Sequence, residues 1–396
     1  MKVLLINTFF PPTRVGGAEE SVAELASDLL SAGHQVAVAC LAPMDFAAAA
    51  AADDIAIYRW RTHIVDPYFA SKPSSRISKL VWHLGDLRRR GARKFLRAVI
   101  AKEKPDIIHC NAVSGFGLEA WAASQGIPLV HTLRDFYLAC VPGKTYRDGK
   151  NCERACTDCK ILRAPFHFGN RPDAFVSISE DTLERHREFG AIGREERATV
   201  IHNSPSAEGI FHERSRAGSE YVLGYIGRVE DYKGINVVLD ALELIPDPDV
   251  RLLIAGDGES ALLDQIRERA RLDTRIRYMG RMVKQEFYAS VDLVLVPSQW
   301  HEPYGRVAAE AAIGGKDVLI SGVGGLPEAV SVVSNYGVVS DFTQPSAWAA
   351  KILEVRALGD RLDGSVTAHN RTPVIEQYLN VYESLLYGSP ESDSVA

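Results

Sequence analysis

No apolar run in this 396-residue chain approaches the ~20 residues that a membrane-spanning helix needs, so no transmembrane helix is predicted. Met1-Lys-Val-Leu-Leu-Ile leads directly into a strand pattern and not into a secretion signal, which makes the cytoplasm the expected location. The first strand-loop-helix pattern lacks a G-x-G-x-x-G, which removes the usual pointer to a nicotinamide site. An excess of one charge is missing too: 45 basic against 51 acidic side chains, formally -6, gives no reason to expect nucleic acid as a partner. What is present is 46% apolar and 24% charged residues, the balance of a soluble globular protein long enough for two domains, each with its own core.

The most informative stretch runs from Asp292 to Glu328. Asp292-Leu-Val-Leu-Val-Pro297 reads as a buried strand, Ser298 to Gly305 as a turn, and Arg306-Val-Ala-Ala-Glu-Ala-Ala-Ile313 as a small-residue helix stopped by Gly314-Gly315. Asp317-Val-Leu-Ile-Ser321 is a second strand, followed by the turn Gly322-Val-Gly-Gly325 and another helix start. Glu302 lies just before the first helix and Glu310 inside it, eight positions apart, which is roughly 12 Å along a helix axis. A helix start offers amide donors and partial positive charge, so a diphosphate could sit between two carboxylates that each accept hydroxyls. That is the outline of a sugar nucleotide.

The same alternation recurs along the chain. Lys2 to Thr8 is a strand, Phe9 to Glu20 the loop that ends it, and a helix to about Ser31 precedes the strand Gln35-Val-Ala-Val-Ala-Cys40. This is how a doubly wound domain opens, with ligands bound beyond the carboxyl ends of the strands, so Gly16 and Gly17 lie where backbone can approach a ligand. Further strands are read at 106–111, 128–132, 173–179 and 199–203, with a hinge at Ser204 to Phe211. The second half restarts at Tyr221-Val-Leu-Gly-Tyr-Ile226, and Gly227-Arg-Val-Glu-Asp-Tyr-Lys-Gly234 follows it. Arg228 and Lys233, two cations on a glycine-bounded strand-to-helix loop, suit a diphosphate whose charge grows as it leaves.

Two other stretches carry chemistry of their own. Residues 72–104 hold eleven Lys or Arg against Asp86 and Glu103, with Ile77, Leu80, Val81, Leu84 and Leu87 at helical spacing. A solvated helix face and docking on anionic lipid both fit this pattern. Cys140, Cys152, Cys156 and Cys159 fall within a loop at 140–160 that reads as irregular, the last two separated by two residues. A closed structural zinc site, an iron-sulfur cluster and free buried thiols all remain open there.

Glu302-Pro-Tyr-Gly-Arg-Val-Ala-Ala-Glu310 followed by Gly-Gly-Lys316 resembles the double-glutamate signature of the retaining glycosyltransferases of family 4, group 1. Gly227-Arg...Lys-Gly234 and the loop Pro11-Pro...Gly-Gly-Ala-Glu19 are similar to that family's donor and active-site loops. The likeness runs in order from Lys2 to about Tyr387. It implies a GT-B fold: two Rossmann-like, doubly wound α/β domains facing a cleft, at 1–205 and 206–370, with a helix at 371–387 crossing back to the first and a disordered tail at 388–396. It further implies that Gly227, Arg228 and Lys233 hold the donor diphosphate, helped by Tyr304, Gly305, Arg306 and Val307. Glu302 would serve the sugar, Glu310 the ribose, and the Arg281-Met282-Val loop the base. Gly16, Gly17 and Asp135 would line the first domain's side.

One departure stands out. In Thr132-Leu-Arg-Asp135, Arg134 occupies the place where many relatives carry a histidine, and a guanidinium can neutralise phosphate but cannot act as a general base. Ser204-Pro205 also departs from the family's usual hinge. The implied reaction moves a sugar from a nucleotide-diphosphate donor to a hydroxyl of a glycan or lipid-linked glycan, with retained configuration and no metal in the chemistry. A peripheral place on the inner face of a membrane goes with such an acceptor. Two alternatives stay open: a sugar-nucleotide epimerase or hydrolase, which would consume donor without acceptor, and a non-catalytic subunit of a polysaccharide assembly. Neither base, sugar nor acceptor is fixed by these residues.

Overall fold

The structure, a computed structural model, describes residues 1–13, 16–42, 55–61, 82–83, 85–86, 89–203, 220–331, 335–358 and 373–388. The alanine run 47–52, positions 77, 80, 81, 84 and 87 of the basic stretch, the hinge from Ser204 and the tail beyond Gly388 lie outside them. The chain divides into two compact units: Met1–Thr145 with Glu153–His202 and Thr372–Ala396, and Tyr146–Cys152 with Asn203–Arg371.

In the first unit the strands are β1 (Lys2–Ile6), β2 (Gln35–Ala42), β3 (Ala56–Arg61), β4 (Ile107–Cys110) and β5 (Leu129–Leu133). A hairpin follows, β6 (Tyr146–Arg147) and β7 (Lys150–Asn151), then β8 (Ala174–Ser177) and β9 (Ala198–Val200). All but the hairpin join one parallel sheet in the order β3-β2-β1-β4-β5-β8-β9. Strands covered on both faces read as continuous apolar runs, and Val3, Leu4, Leu5 and Ile6 of β1 are all fully buried. Helix Gly17–Ser31 lays Val22, Leu25, Ala26 and Leu29 against the sheet, one face at three- and four-residue spacing. The carboxy-terminal helix Val374–Leu386 adds Tyr378, Val381 and Tyr382 to the same core. Its Tyr382 hydroxyl meets His109 Nδ1 at 2.7 Å, and His109 Nε2 meets Thr132 Oγ1 at 2.7 Å.

The cysteine segment differs from the irregular loop expected of it. It forms the β6–β7 hairpin and helix Thr157–Arg163, and residues 146–152 are counted with the second unit, not the first. Of the basic stretch, helix Arg90–Glu103 is described: Ala92, Leu96, Val99 and Ile100 are buried while Arg90, Lys94, Arg97 and Lys102 are exposed.

The second unit continues with β10 (Tyr221–Ile226), β11 (Val250–Ala255), β12 (Ile276–Tyr278), β13 (Leu293–Val296), β14 (Asp317–Ser321) and β15 (Tyr336–Val339). These make a parallel sheet in the order β12-β11-β10-β13-β14-β15, the doubly wound order that reverses between β10 and β13. Helices Ile235–Glu243, Ser260–Leu272 and Pro345–Ala357 pack on one face, and Lys284–Ala289, Arg306–Ile313 and Leu326–Val330 on the other. The reversal leaves a crevice at the carboxyl ends of β10 and β13, and the loops that open there are 227–234 and 297–305.

Candidate active site

The loop after β10 is short and pinned. Val229 bridges to Gly258, and its amide donates to the Asp257 carbonyl at 2.9 Å. The loop closes through a single turn, Asp231–Lys233, into Gly234 at φ 76°. A Cβ on Gly234 would stand 2.8 Å from the Pro297 carbonyl carbon and closer still to its oxygen, so only glycine lets the two loops meet this closely. Gln299 N donating to Tyr232 O at 2.8 Å fastens them together.

That contact brings the predicted residues into one group. Lys233 Nζ donates to both oxygens of Glu302, at 2.8 and 2.7 Å. Ser298 Oγ and Trp300 Nε1 also donate to Glu302 Oε2, at 2.9 and 3.0 Å. The ammonium lies 5.3 Å from the Trp300 ring centre and 5.9 Å from that of Tyr232, so two aromatic faces share its charge. Arg228 pairs with the buried Glu230 through one terminal nitrogen. Burial, followed by the nearby Glu230, holds the Tyr232 phenol far above its ordinary range, so it stays protonated. Glu302 itself is seated by glycine: a Cβ at Gly324 would stand 2.6 Å from the Glu302 carbonyl oxygen, and Gly325 N donates to that oxygen at 2.7 Å.

Glu310 sits one turn into helix Arg306–Ile313, whose cap is Gly305, and is almost fully buried. Its Oε1 accepts from Lys284 Nζ at 3.0 Å and Arg306 Nε at 3.3 Å, while its buried Oε2 has no partner among the described residues. A buried carboxylate oxygen without a donor is costly unless something supplies one. Tyr304 is buried, and its hydroxyl donates to Asn203 O at 2.6 Å. Met282 and Val307 pack at the edge of the core beneath this helix. Arg281 is a surface side chain 3.4 Å from Asp257. Thus Gly227, Arg228, Lys233, Glu302, Tyr304 to Val307 and Glu310 all belong to the loops and helix at the sheet reversal.

The first unit gathers its own residues at the carboxyl ends of β1, β4 and β5. Gly16 N donates to Glu19 Oε2 at 2.8 Å, and space around Gly16 is open; Gly17 begins the helix. Arg134 is largely buried and its Nε donates to Asn111 Oδ1 at 2.7 Å, so it braces the end of β4. Asp135 Oδ1 accepts from Tyr137 N at 2.9 Å. His131 accepts from the Trp121 indole at 3.2 Å, and burial drives its pKa down to about 3, as for a neutral core histidine.

Three of the four thiols meet: Cys159 has both Cys140 and Cys156 within hydrogen-bonding reach. Cys140 and Cys159 are buried, each receiving a backbone amide at 3.4 Å, from Thr145 and Val141 respectively. A hydrogen bond with Cys140 raises the Cys159 pKa far above its ordinary value, burial adding to it. Cys156 caps helix Thr157–Arg163, and Cys152 ends the segment counted with the second unit. Among the described residues no group of three or more His, Cys, Asp or Glu side chains could hold a metal ion.

Two family models cover most of the chain: Glycosyltransferase Family 4 over residues 15–204 and Glycosyl transferases group 1 over 208–362. The chain belongs to glycosyltransferase family 4. This glycosyltransferase is 29% identical to an uncharacterized 42.6 kDa protein in the cps region of Klebsiella pneumoniae, covering 97% of this chain and 100% of that one. It is 26% identical to the glycogen synthase of Mycobacterium tuberculosis over 83% of its own length and 80% of that enzyme's. Among solved structures it is similar to Anabaena Alr3699/HepE in complex with UDP-glucose, with a TM-score of 0.69, 20% identity, and coverage of 97% and 99%. That likeness shows the fold, GT-B, and no more. The enzyme is a transferase of glycosyl groups.

Sequence reasoning missed Ser298, Trp300, Glu230 and Lys284, the side chains that hold Glu302, Arg228 and Glu310 in place. Ser298 and Trp300 lie in the turn that carries Glu302 and Glu230 in the loop that carries Arg228, which is the signal they left; Lys284 left none.

Proposed function

We propose that this glycosyltransferase moves a sugar from a uridine-diphosphate donor to a hydroxyl of a glycan or lipid-linked glycan, with retention of anomeric configuration. The observation that carries the donor half is the group at the sheet reversal: Lys233 on Glu302, Arg228 on Glu230 in the same loop as Lys233, and Glu310 with a buried oxygen that no described residue satisfies. Arg228 and Lys233 would stabilise the leaving diphosphate, with the amides at the start of helix Arg306–Ile313, so that side-chain cations fill the part a divalent ion plays in other transferases. Glu302 would accept from sugar hydroxyls and Glu310 Oε2 from the ribose. Uridine is favoured because HepE, of the same fold, is known with UDP and UDP-glucose. Arg134, held by Asn111, is a guanidinium and would supply no base, leaving the departing phosphate to take the acceptor proton.

The enzyme would act at the cytoplasmic side of a membrane, the exposed cations of helix Arg90–Glu103 favouring an anionic surface. Salt-sensitive co-sedimentation with anionic vesicles is the outcome that supports this, and its absence removes it. The reaction itself is tested by mass spectrometry of products from a nucleotide-sugar panel, with and without glycan acceptors, and by NMR of the product anomer. UDP release that depends on acceptor, with an unchanged anomer, is expected. Equal consumption of donor without acceptor would instead indicate an epimerase or hydrolase, and no consumption a non-catalytic subunit.

A further inference from the structure

The β6–β7 hairpin, although part of the cysteine segment, makes its described contacts within the second unit, on both loops that carry the donor residues. Asn151 spans two backbone groups there: its Nδ2 donates to Gln299 O at 2.9 Å, and its Oδ1 accepts from His301 N at 3.1 Å. Those groups flank Trp300, whose indole donates to Glu302. On the partner strand, directly opposite Asn151, the Tyr146 ring lies 6.2 Å from Tyr232, the residue before Lys233.

The physical need for such a brace is plain. Residues 297–305 form neither helix nor strand, so their backbone groups must find partners elsewhere. A primary amide carries donor and acceptor on one plane, and Asn151 uses both as a neighbouring strand would. The brace reaches the sugar end of the site through Gln299 to Glu302. Glu310 is held instead by Lys284 of helix Lys284–Ala289 and by Arg306 of its own helix.

We propose that Asn151 is a positioning residue for the sugar end of the donor site, fixing the backbone on either side of Trp300 and so the aim of Glu302. This rests on the donor reading above. It assigns the hairpin a specific part: the nucleoside diphosphate should bind without it, and the sugar should not be held correctly.

The test is calorimetric titration of the full chain with UDP and with UDP-glucose, together with kcat and KM for UDP-glucose, in wild type, Asn151→Ala and Asn151→Asp. The aspartate keeps the acceptor for His301 N and loses the donor to Gln299 O. Asn151→Ala is expected to bind UDP within about twofold of wild type while losing about tenfold in UDP-glucose affinity and in kcat/KM, with Asn151→Asp between. A hairpin that only stabilises the fold would lower thermal stability and change both ligands alike; that result, or no change in either, overturns the proposal. A wild type that binds neither ligand sinks the donor reading and this inference with it, whereas a wild type that binds both while the variants match it sinks the inference alone.

Discussion

Replacing Lys233 by Met removes the ammonium but keeps an unbranched chain against the Trp300 and Tyr232 rings, so it separates charge from packing. Folding should barely notice. The Lys233 and Glu302 side chains are 23% and 15% exposed, Glu302 retains Ser298 Oγ and Trp300 Nε1, and a pair that water still reaches contributes about 1 kcal/mol. Against a domain stability of about 5–15 kcal/mol, that leaves nearly every molecule folded. The transition state is another matter. A preorganised cation facing charge that develops on a leaving diphosphate is worth about 3–4 kcal/mol, or roughly a hundredfold to a thousandfold in rate. The assay is initial-rate UDP release at saturating acceptor, with a thermal melt of the same preparation. Turnover is expected to fall at least a hundredfold while the melting temperature moves by a few degrees. A variant within threefold of wild type would refute the assignment, because no arrangement of Arg228 alone replaces a cation bonded to both oxygens of Glu302.

Glu310→Gln keeps an oxygen for Lys284 and Arg306 but makes the other end a donor, so UDP affinity should drop about tenfold by calorimetry; unchanged affinity would remove Glu310 from the ribose site. Gly324→Ala drives a Cβ against the Glu302 backbone at φ 66°, and should cost about 1–3 kcal/mol, read as a lower urea midpoint; an alanine variant of wild-type stability would mean the approach relaxes freely. His131 and His186 are pushed down by burial to about 3 and about 4, and burial likewise lowers His109, so all three stay neutral when folded. Below about 6.5 only the unfolded chain takes up these protons, so stability falls with falling pH, at up to about 1.4 kcal/mol per unit for each histidine. Melts from pH 7 to pH 4.5 should therefore show a steep decline, and a flat profile would contradict the burial of the three rings.

The parallel sheets were legible because strands covered on both faces leave unbroken apolar runs: β10, β14 and helix Arg306–Ile313 fall on the residues that the pattern marks. β3 escaped notice because Ala56–Arg61 alternates Arg with apolar residues and is only half-buried, as an edge strand can be. The hairpin at 146–151 escaped because two-residue strands carry no period. Among the candidate site residues, Arg228, Lys233 and Glu302 stood out by lying in glycine-bearing loops, Glu310 by its place in the helix that follows, and all four by resemblance. Their supports did not: Glu230 and Lys284 are ordinary charged residues in the sequence, and their value comes only from where the fold points them. The cysteines show the reverse: their spacing marked Cys140, Cys156 and Cys159 as near neighbours, and the fold does bring the three thiols into hydrogen-bonding reach.

A site proposed for a diphosphate would be expected to leave its cations bare, yet those at the sheet reversal are met by carboxylates: Arg228 by Glu230, Lys233 by Glu302, Lys284 and Arg306 by Glu310. The pairing has a reason. An unpaired, partly buried cation costs several kcal/mol and has no fixed rotamer, whereas a paired one is oriented before any ligand arrives. Orientation does not exhaust the donors. Arg228 meets Glu230 through one nitrogen of a group with five N–H bonds and remains 42% exposed on its side chain, so a phosphate can add to it without displacing the carboxylate. The carboxylates then decide which anion is welcome. On the proposed reading, the P–OH groups of inorganic phosphate would lie on the same phosphorus that the cations hold, whereas a sugar nucleotide would bring separate hydroxyls to Glu302 and to the buried Oε2 of Glu310.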